Sequence, residues 1–154
     1  MIHLFDTTAF LGIREQVPEP DVTEFLNQLT DLIRDGQLTF PREVVDDLQF
    51  RAKGEVLDVW IKAVSSDRLL KAVPYSHMQW VMGKCPELCD ADDPLDPPSN
   101  VAAFARCLDS DGEEFHVVSA DTTNKPTRIS LSAACVALGW GVDSLADFMA
   151  CVGI

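Results

Sequence analysis

Little in this chain of 154 residues is basic: twelve Lys and Arg stand against twenty-five Asp and Glu, a formal charge of −13. A protein that grips nucleic acid by its phosphates alone usually shows a basic patch. This balance argues against that mode. It leaves either an anionic substrate held through metal and a few bases, or an acidic surface that a basic partner covers. No run approaches the ~18 apolar residues that a membrane helix needs. Met1 leads straight into a strand-like run, not into a basic segment, apolar stretch and cleavage site, so a cytoplasmic location is expected. The cysteines are few and odd in number (85, 89, 107, 135, 151) and lack secretory context, which favours reduced thiols. Cys85 and Cys89 have no second Cys/His pair at finger-like spacing, which counts against zinc. No segment repeats, and no linker is long enough to divide the chain. A single domain over residues 1–154 is expected, with a 47% hydrophobic fraction to fill its core.

What is there alternates between two periods. Ile2 to Phe5 is a short apolar run that suits a buried strand. Val22, Phe25, Leu26, Leu29, Leu32 and Ile33 recur at helical spacing, with Asp21 and Glu24 as an expected capping box and Gly36 as the stop. Leu38 to Phe40 reads as a second strand, and Pro41 suits the first turn of the helix after it. A further helix is expected over Val56 to Val64, a short one near Met78 to Met82, and a loop from Cys85 to Pro98. Val101, Ala105 and Leu108 then mark a helix, Phe115 to Ser119 a strand, and Leu131 to Leu138 a helix. Gly139 and Gly141 bracket an expected edge strand at Trp140, and Asp143 is expected to cap the last helix. Strands alternating with helices predict an α/β fold: a three-layer α/β/α sandwich around a central, mostly parallel sheet.

Four acids stand where strands end or helices begin. Asp6 closes the first strand, Asp47 lies in the helix after the second, Asp96 precedes Pro97-Pro98, and Asp121 follows the third. Carboxyl ends of neighbouring parallel strands face one crevice, so such acids can meet there. Crowded carboxylates repel, and a hard cation such as Mg²⁺ or Mn²⁺ relieves that repulsion. Glu43 lies one turn before Asp47 on the same helix face. Asp93 and Asn100 are alternatives for the third position, while Asp90, Asp92 and Asp93 otherwise read as a solvated loop. Ser119, two residues before Asp121, shares its sheet face and is placed to orient a carboxylate or water. Lys125 and Arg128 lie beside the site, in reach of a phosphate. For His3 and His116 the expectation is packing or a hydrogen bond, and for Trp60, Trp80 and Trp140 it is the core.

On these residues the chain resembles the PIN-domain ribonucleases, the family of VapC-type toxins. His3-Leu4-Phe5-Asp6-Thr7-Thr8-Ala9-Phe10-Leu11 is similar to the family's strand-Asp-Thr-Asn start, with Thr8 where Asn is usual. Val44-Val45-Asp46-Asp47-Leu48 resembles the second motif, with Asp47 where Glu is preferred. Asp96-Pro97-Pro98-Ser99-Asn100-Val101-Ala102-Ala103 resembles the third, at a longer offset. His116-Val117-Val118-Ser119-Ala120-Asp121, followed by Lys125-Pro126-Thr127-Arg128, is similar to the closing strand, Thr/Ser-x-Asp and Pro-containing loop.

The resemblance implies a Mg²⁺- or Mn²⁺-dependent endoribonuclease with Asp6, Asp47, Asp96 and Asp121 as catalytic acids. Of these, Asp6, Asp96 and Asp121 would hold metal, with Glu43, Asp93, Ser119 and Thr8 in support. It implies an RNA substrate and a cognate antitoxin as partners, and leaves a homodimer open. Two other readings stand beside it: a PIN-like protein-binding module without catalysis, and a metal-dependent phosphohydrolase on a small substrate. A response-regulator receiver is disfavoured, because the acidic pair it needs near the first strand is missing. A haloacid-dehalogenase-type nucleophile is disfavoured too, since Asp6-Thr7-Thr8 lacks the second Asp.

Overall fold

Four consecutive buried residues, Ile2–Phe5, form β1 and can be covered only if both faces of the sheet carry helices. The computed structural model, which describes all 154 residues, shows that arrangement. The sheet has four parallel strands in the order β2 (Leu38–Thr39), β1, β3 (Phe115–Val118), β4 (Gly141–Asp143). His3 is in register with Leu38 on one side and with His116 on the other, and Val117 is in register with Val142.

Parallel neighbours need crossovers, and helices make them. Helices α1 (Thr7–Gln16) and α2 (Val22–Arg34) connect β1 to β2. Helices α3 (Arg42–Arg51), α4 (Val56–Val64), α5 (Tyr75–Lys84) and α6 (Pro97–Ser110) return the chain past β1 to β3. Helix α7 (Leu131–Leu138) leads to β4, and α8 (Leu145–Val152) closes the chain. Right-handed crossovers that leave in opposite directions put helices on opposite faces, which gives the three layers. Phe5 meets Phe10 of α1 at 4.9 Å and Phe148 of α8 at 4.8 Å between ring centroids, so one aromatic cluster ties both helices to β1. No helix is long and apolar enough to cross a membrane. All five cysteines are free thiols.

Four local expectations are corrected. Asp21 does not cap α2. Pro18, Glu19 and Pro20 lead into a 3₁₀ turn at Glu19–Asp21, so Asp21 already has a helical backbone (φ −98°, ψ −7°) and its side chain makes no capping bond. Nor does Asp143 cap α8. It ends β4, where its carboxylate pairs with His116 Nδ1 at 2.8 Å. Ser144 is the cap instead: its hydroxyl accepts from the Asp147 N–H at 3.0 Å, and the Asp147 carboxylate accepts from the Ser144 N–H at 3.4 Å. Strand β4 begins at Gly141, not Trp140. Gly139 ends α7 in the left-handed region (φ +79°), and the Trp140 N–H is still bonded to Cys135 O at 2.9 Å. The short helix near Met78 is longer than expected, running from Tyr75 to Lys84.

Gly141 is held by its neighbour. A Cβ there would stand 2.6 Å from the His116 ring. Gly141→Ala should therefore cost about 1–3 kcal/mol in urea unfolding. Adding His116→Ala should recover most of that loss, because it removes the ring the methyl meets.

Candidate functional site

The direction of winding along the sheet reverses between the parallel neighbours β1 and β3: the connection from β1 leaves toward β2, and that from β3 leaves toward β4. The loops diverge and open a crevice at the carboxyl edge, where such sheets hold ligands. Asp6 stands at the end of β1. It N-caps α1 from an extended backbone, and its Oδ1 accepts from the Ala9 N–H at 2.8 Å and the Thr8 hydroxyl at 2.7 Å. Its Oδ2 accepts from the Ser119 hydroxyl at 2.5 Å. The Ser119 Oγ in turn accepts from the Asp121 N–H, and the Thr8 Oγ1 accepts from the Ala120 N–H. Two hydroxyls thus stitch the ends of the neighbouring strands together. Thr8, standing where an amide is usual in the family it resembles, supplies one of them.

Asp6 is only 4% exposed and has no cationic partner at salt-bridge distance. Burial pushes its carboxyl up to about 6; the Ser119, Thr8 and Ala9 hydrogen bonds oppose the shift, and Asp121 adds to it. Asp121 is held differently. Its Oδ2 accepts from Arg128 Nη1 at 2.7 Å and from the Leu131 N–H at 2.9 Å, the first residue of α7. Its Oδ1 has no protein donor. Asp47 of α3 is also buried, and its Oδ1 accepts from Arg51 Nε at 3.0 Å, one turn along the helix.

The crevice, about 140 Å³, is lined by Asp6, Asp47, Asp121, Asp90 and Asp93, with Arg51, Lys125 and Arg128 among them. Asp93 and Asp90 come from the loop before α6, where each carboxylate also accepts a backbone N–H two residues on. Asp96 does not line the crevice. It sits before Pro97 in the left-handed region (φ 40°), and its carboxylate turns back toward the Asp90 N–H at 3.4 Å. Pro disfavours a helical conformation in the residue before it, and a short polar Asp tolerates the left-handed alternative. Asp90 and Asp93 of the same loop line the crevice where Asp96 does not. Asn100 is spent on the loop, donating to the Leu95 and Asp96 carbonyls. Glu43 faces a neighbouring cavity rather than the crevice.

No three His, Cys, Asp or Glu side chains come together at ligating distance. The donors that reach the crevice are nonetheless all oxygens. They include an unengaged Asp121 Oδ1 and a buried Asp6 whose charge no basic group offsets, and they suit a hard cation held largely through its own waters. Arg128 competes for the same carboxylate. Two lining residues escaped the sequence reading. Arg51 was legible as the i+4 partner of Asp47. Asp90 reads only as part of a solvated loop, and nothing in the sequence marks it as turned inward. Sequence comparison matches the chain to no protein-family model and to no curated protein.

Proposed function

We propose that the crevice is the centre of a metal-dependent endoribonuclease, of the kind that serves as the toxin of a toxin–antitoxin pair. The observation that supports this most is convergence. Acids from four separate segments (Asp6; Asp47; Asp90 and Asp93; Asp121) line one small crevice at the divergence of β1 and β3. A Mg²⁺ or Mn²⁺ held there would supply an activated water for in-line attack on phosphorus and charge neutralisation at the leaving oxygen. Asp6, Asp93 and Asp121 would hold it, with Asp47 acting through water. Ser119 and Thr8 fix the Asp6 carboxylate so that it need not reorganise. Lys125, which has no carboxylate partner, and Arg128, with donors beyond the one given to Asp121, are placed for the phosphate.

Purified protein with Mn²⁺ should cleave single-stranded RNA and stop in EDTA. Asp93→Asn should lower kcat/KM by about 100-fold or more while leaving the fold intact, since Asp93 is half-buried and makes only one local bond. Asp96→Asn, outside the crevice, should have a far smaller effect. One observation favours a second reading. Arg128 and Arg51 already neutralise Asp121 and Asp47, as in a module that has exchanged metal for internal ion pairs. Failure to cleave, together with a melting temperature indifferent to Mn²⁺, would establish that binding module instead.

A further inference from the structure

A second cavity, of about 570 Å³, adjoins the acidic crevice and differs from it in chemistry. On one wall is Arg68. Its Nε donates to Phe40 O at 2.9 Å, Nη1 donates to Ser65 O, and the guanidinium lies 5.4 Å from the Phe40 ring centroid. The chain has seven arginines, and six of them lie within 4.0 Å of a carboxylate. Arg68 alone has none, in a chain with twenty-five acids. A half-buried guanidinium, oriented by two carbonyls and with no carboxylate in contact, keeps donors free for an anion, although Glu43 of the same cavity and Asp46 lie near enough to act on its charge. Arg42 lines the same cavity and is held only loosely, 3.7 Å from Asp46 in solvent.

The opposite character is apolar. Phe104 and Met78 line the cavity, and Leu70 and Tyr75 stand at its rim 64% and 74% exposed. Helices α3 and α6 wall both cavities. Glu43 faces this one and Asp47, a turn later, faces the crevice; Asn100 faces this one and Pro97 the crevice. On both helices the residues that line the two cavities are thus about one helical turn apart, ~5–6 Å along the axis. An anion-binding group and an exposed aromatic in a cavity of small-ligand size suit a nucleotide.

We propose that this cavity binds one nucleotide of a single strand, its phosphate on the Arg68 guanidinium and its base against Tyr75, Leu70 and Phe104. Only the onward path of the strand into the crevice rests on the nuclease reading; the pocket itself should take a free nucleotide. Calorimetry of the full chain in EDTA should show 5′-AMP binding more tightly than adenosine or inorganic phosphate. Tyr75→Ala and Arg68→Gln should each weaken 5′-AMP by about tenfold or more. Tyr75 is exposed, so its variant keeps the fold even if loss of the Arg68 carbonyl bonds lowers the melting temperature of the other. With RNA, Tyr75→Ala should raise KM and leave kcat nearly unchanged. Absence of 5′-AMP binding, equal binding by Tyr75→Ala, or stronger binding of an Asp/Glu-rich peptide would overturn the subsite. Binding of 5′-AMP by a protein that cleaves no RNA would uphold the subsite and overturn the nuclease reading alone.

Discussion

Replacing Asp121 by Ala should destabilise the protein by about 3–5 kcal/mol, because it leaves the Arg128 guanidinium buried without its partner. The two side chains are only 6% and 7% exposed and meet at 2.7 Å. The same carboxylate also takes the Leu131 N–H at the start of α7, so an orphan donor is left there as well. In urea unfolding the midpoint should fall sharply. The double variant Asp121→Ala/Arg128→Met should recover much of the stability, since removing both charges leaves no uncompensated ion. RNA cleavage should not return, because no carboxylate then serves the crevice. Recovery of stability without activity separates the structural role of this pair from its chemical one. If Asp121→Ala melts like the parent, the ion pair is not holding the loop.

The second large effect is a pH dependence that runs opposite to the usual one. Most paired carboxylates titrate lower in the folded state than in the unfolded chain. Asp6 goes the other way, raised from 3.8 to about 6 by burial. Between those values the folded protein binds the proton that the unfolded chain has released. Stability from this group is therefore complete below about pH 4 and is lost as pH rises through about 6. Roughly two pKa units correspond to ~3 kcal/mol. In EDTA, Asp6→Asn should flatten this part of the stability–pH profile, and the variant should gain on the parent between pH 5 and 7. At neutral pH, Mn²⁺ should return part of the lost stability to the parent, about 2.7 kcal/mol at one hundred times its Kd, and less to Asp6→Asn. A parent profile that rises from pH 4 to 6 as steeply as that of Asp6→Asn would mean the buried carboxylate is already compensated. The gain from Mn²⁺ also bears on the proposed nuclease, since with two carboxylates neutralised by Arg51 and Arg128, Asp6 is the buried member of the three acids left without a cation.

What the sequence determined by itself was the part governed by local periodicity. Apolar runs of four residues next to helical repeats require an alternating α/β chain, and strands covered on both faces require a sandwich. Asp6 and Asp121 were legible because a residue directly after a buried parallel strand, as Asp6 is, or within three residues of its end, as Asp121 is, lies at the carboxyl edge. Asp47 was legible because helical spacing puts it on the inward side of α3. Tertiary structure alone decided which acids of the loop before α6 turn inward. Asp93 and Asp96 have the same chemistry and lie three residues apart, yet Asp96, in the left-handed region ahead of Pro97, does not line the crevice and Asp93 does. Contact between distant segments also decided the electrostatics. Asp6 is left without a cation and pushed upward by burial, Asp121 is held by an arginine seven residues on, and Arg68 remains the one arginine with no acid within salt-bridge distance. Charge counted along the chain is a sum, whereas binding depends on which charges the fold leaves without partners; no local pattern encodes that difference.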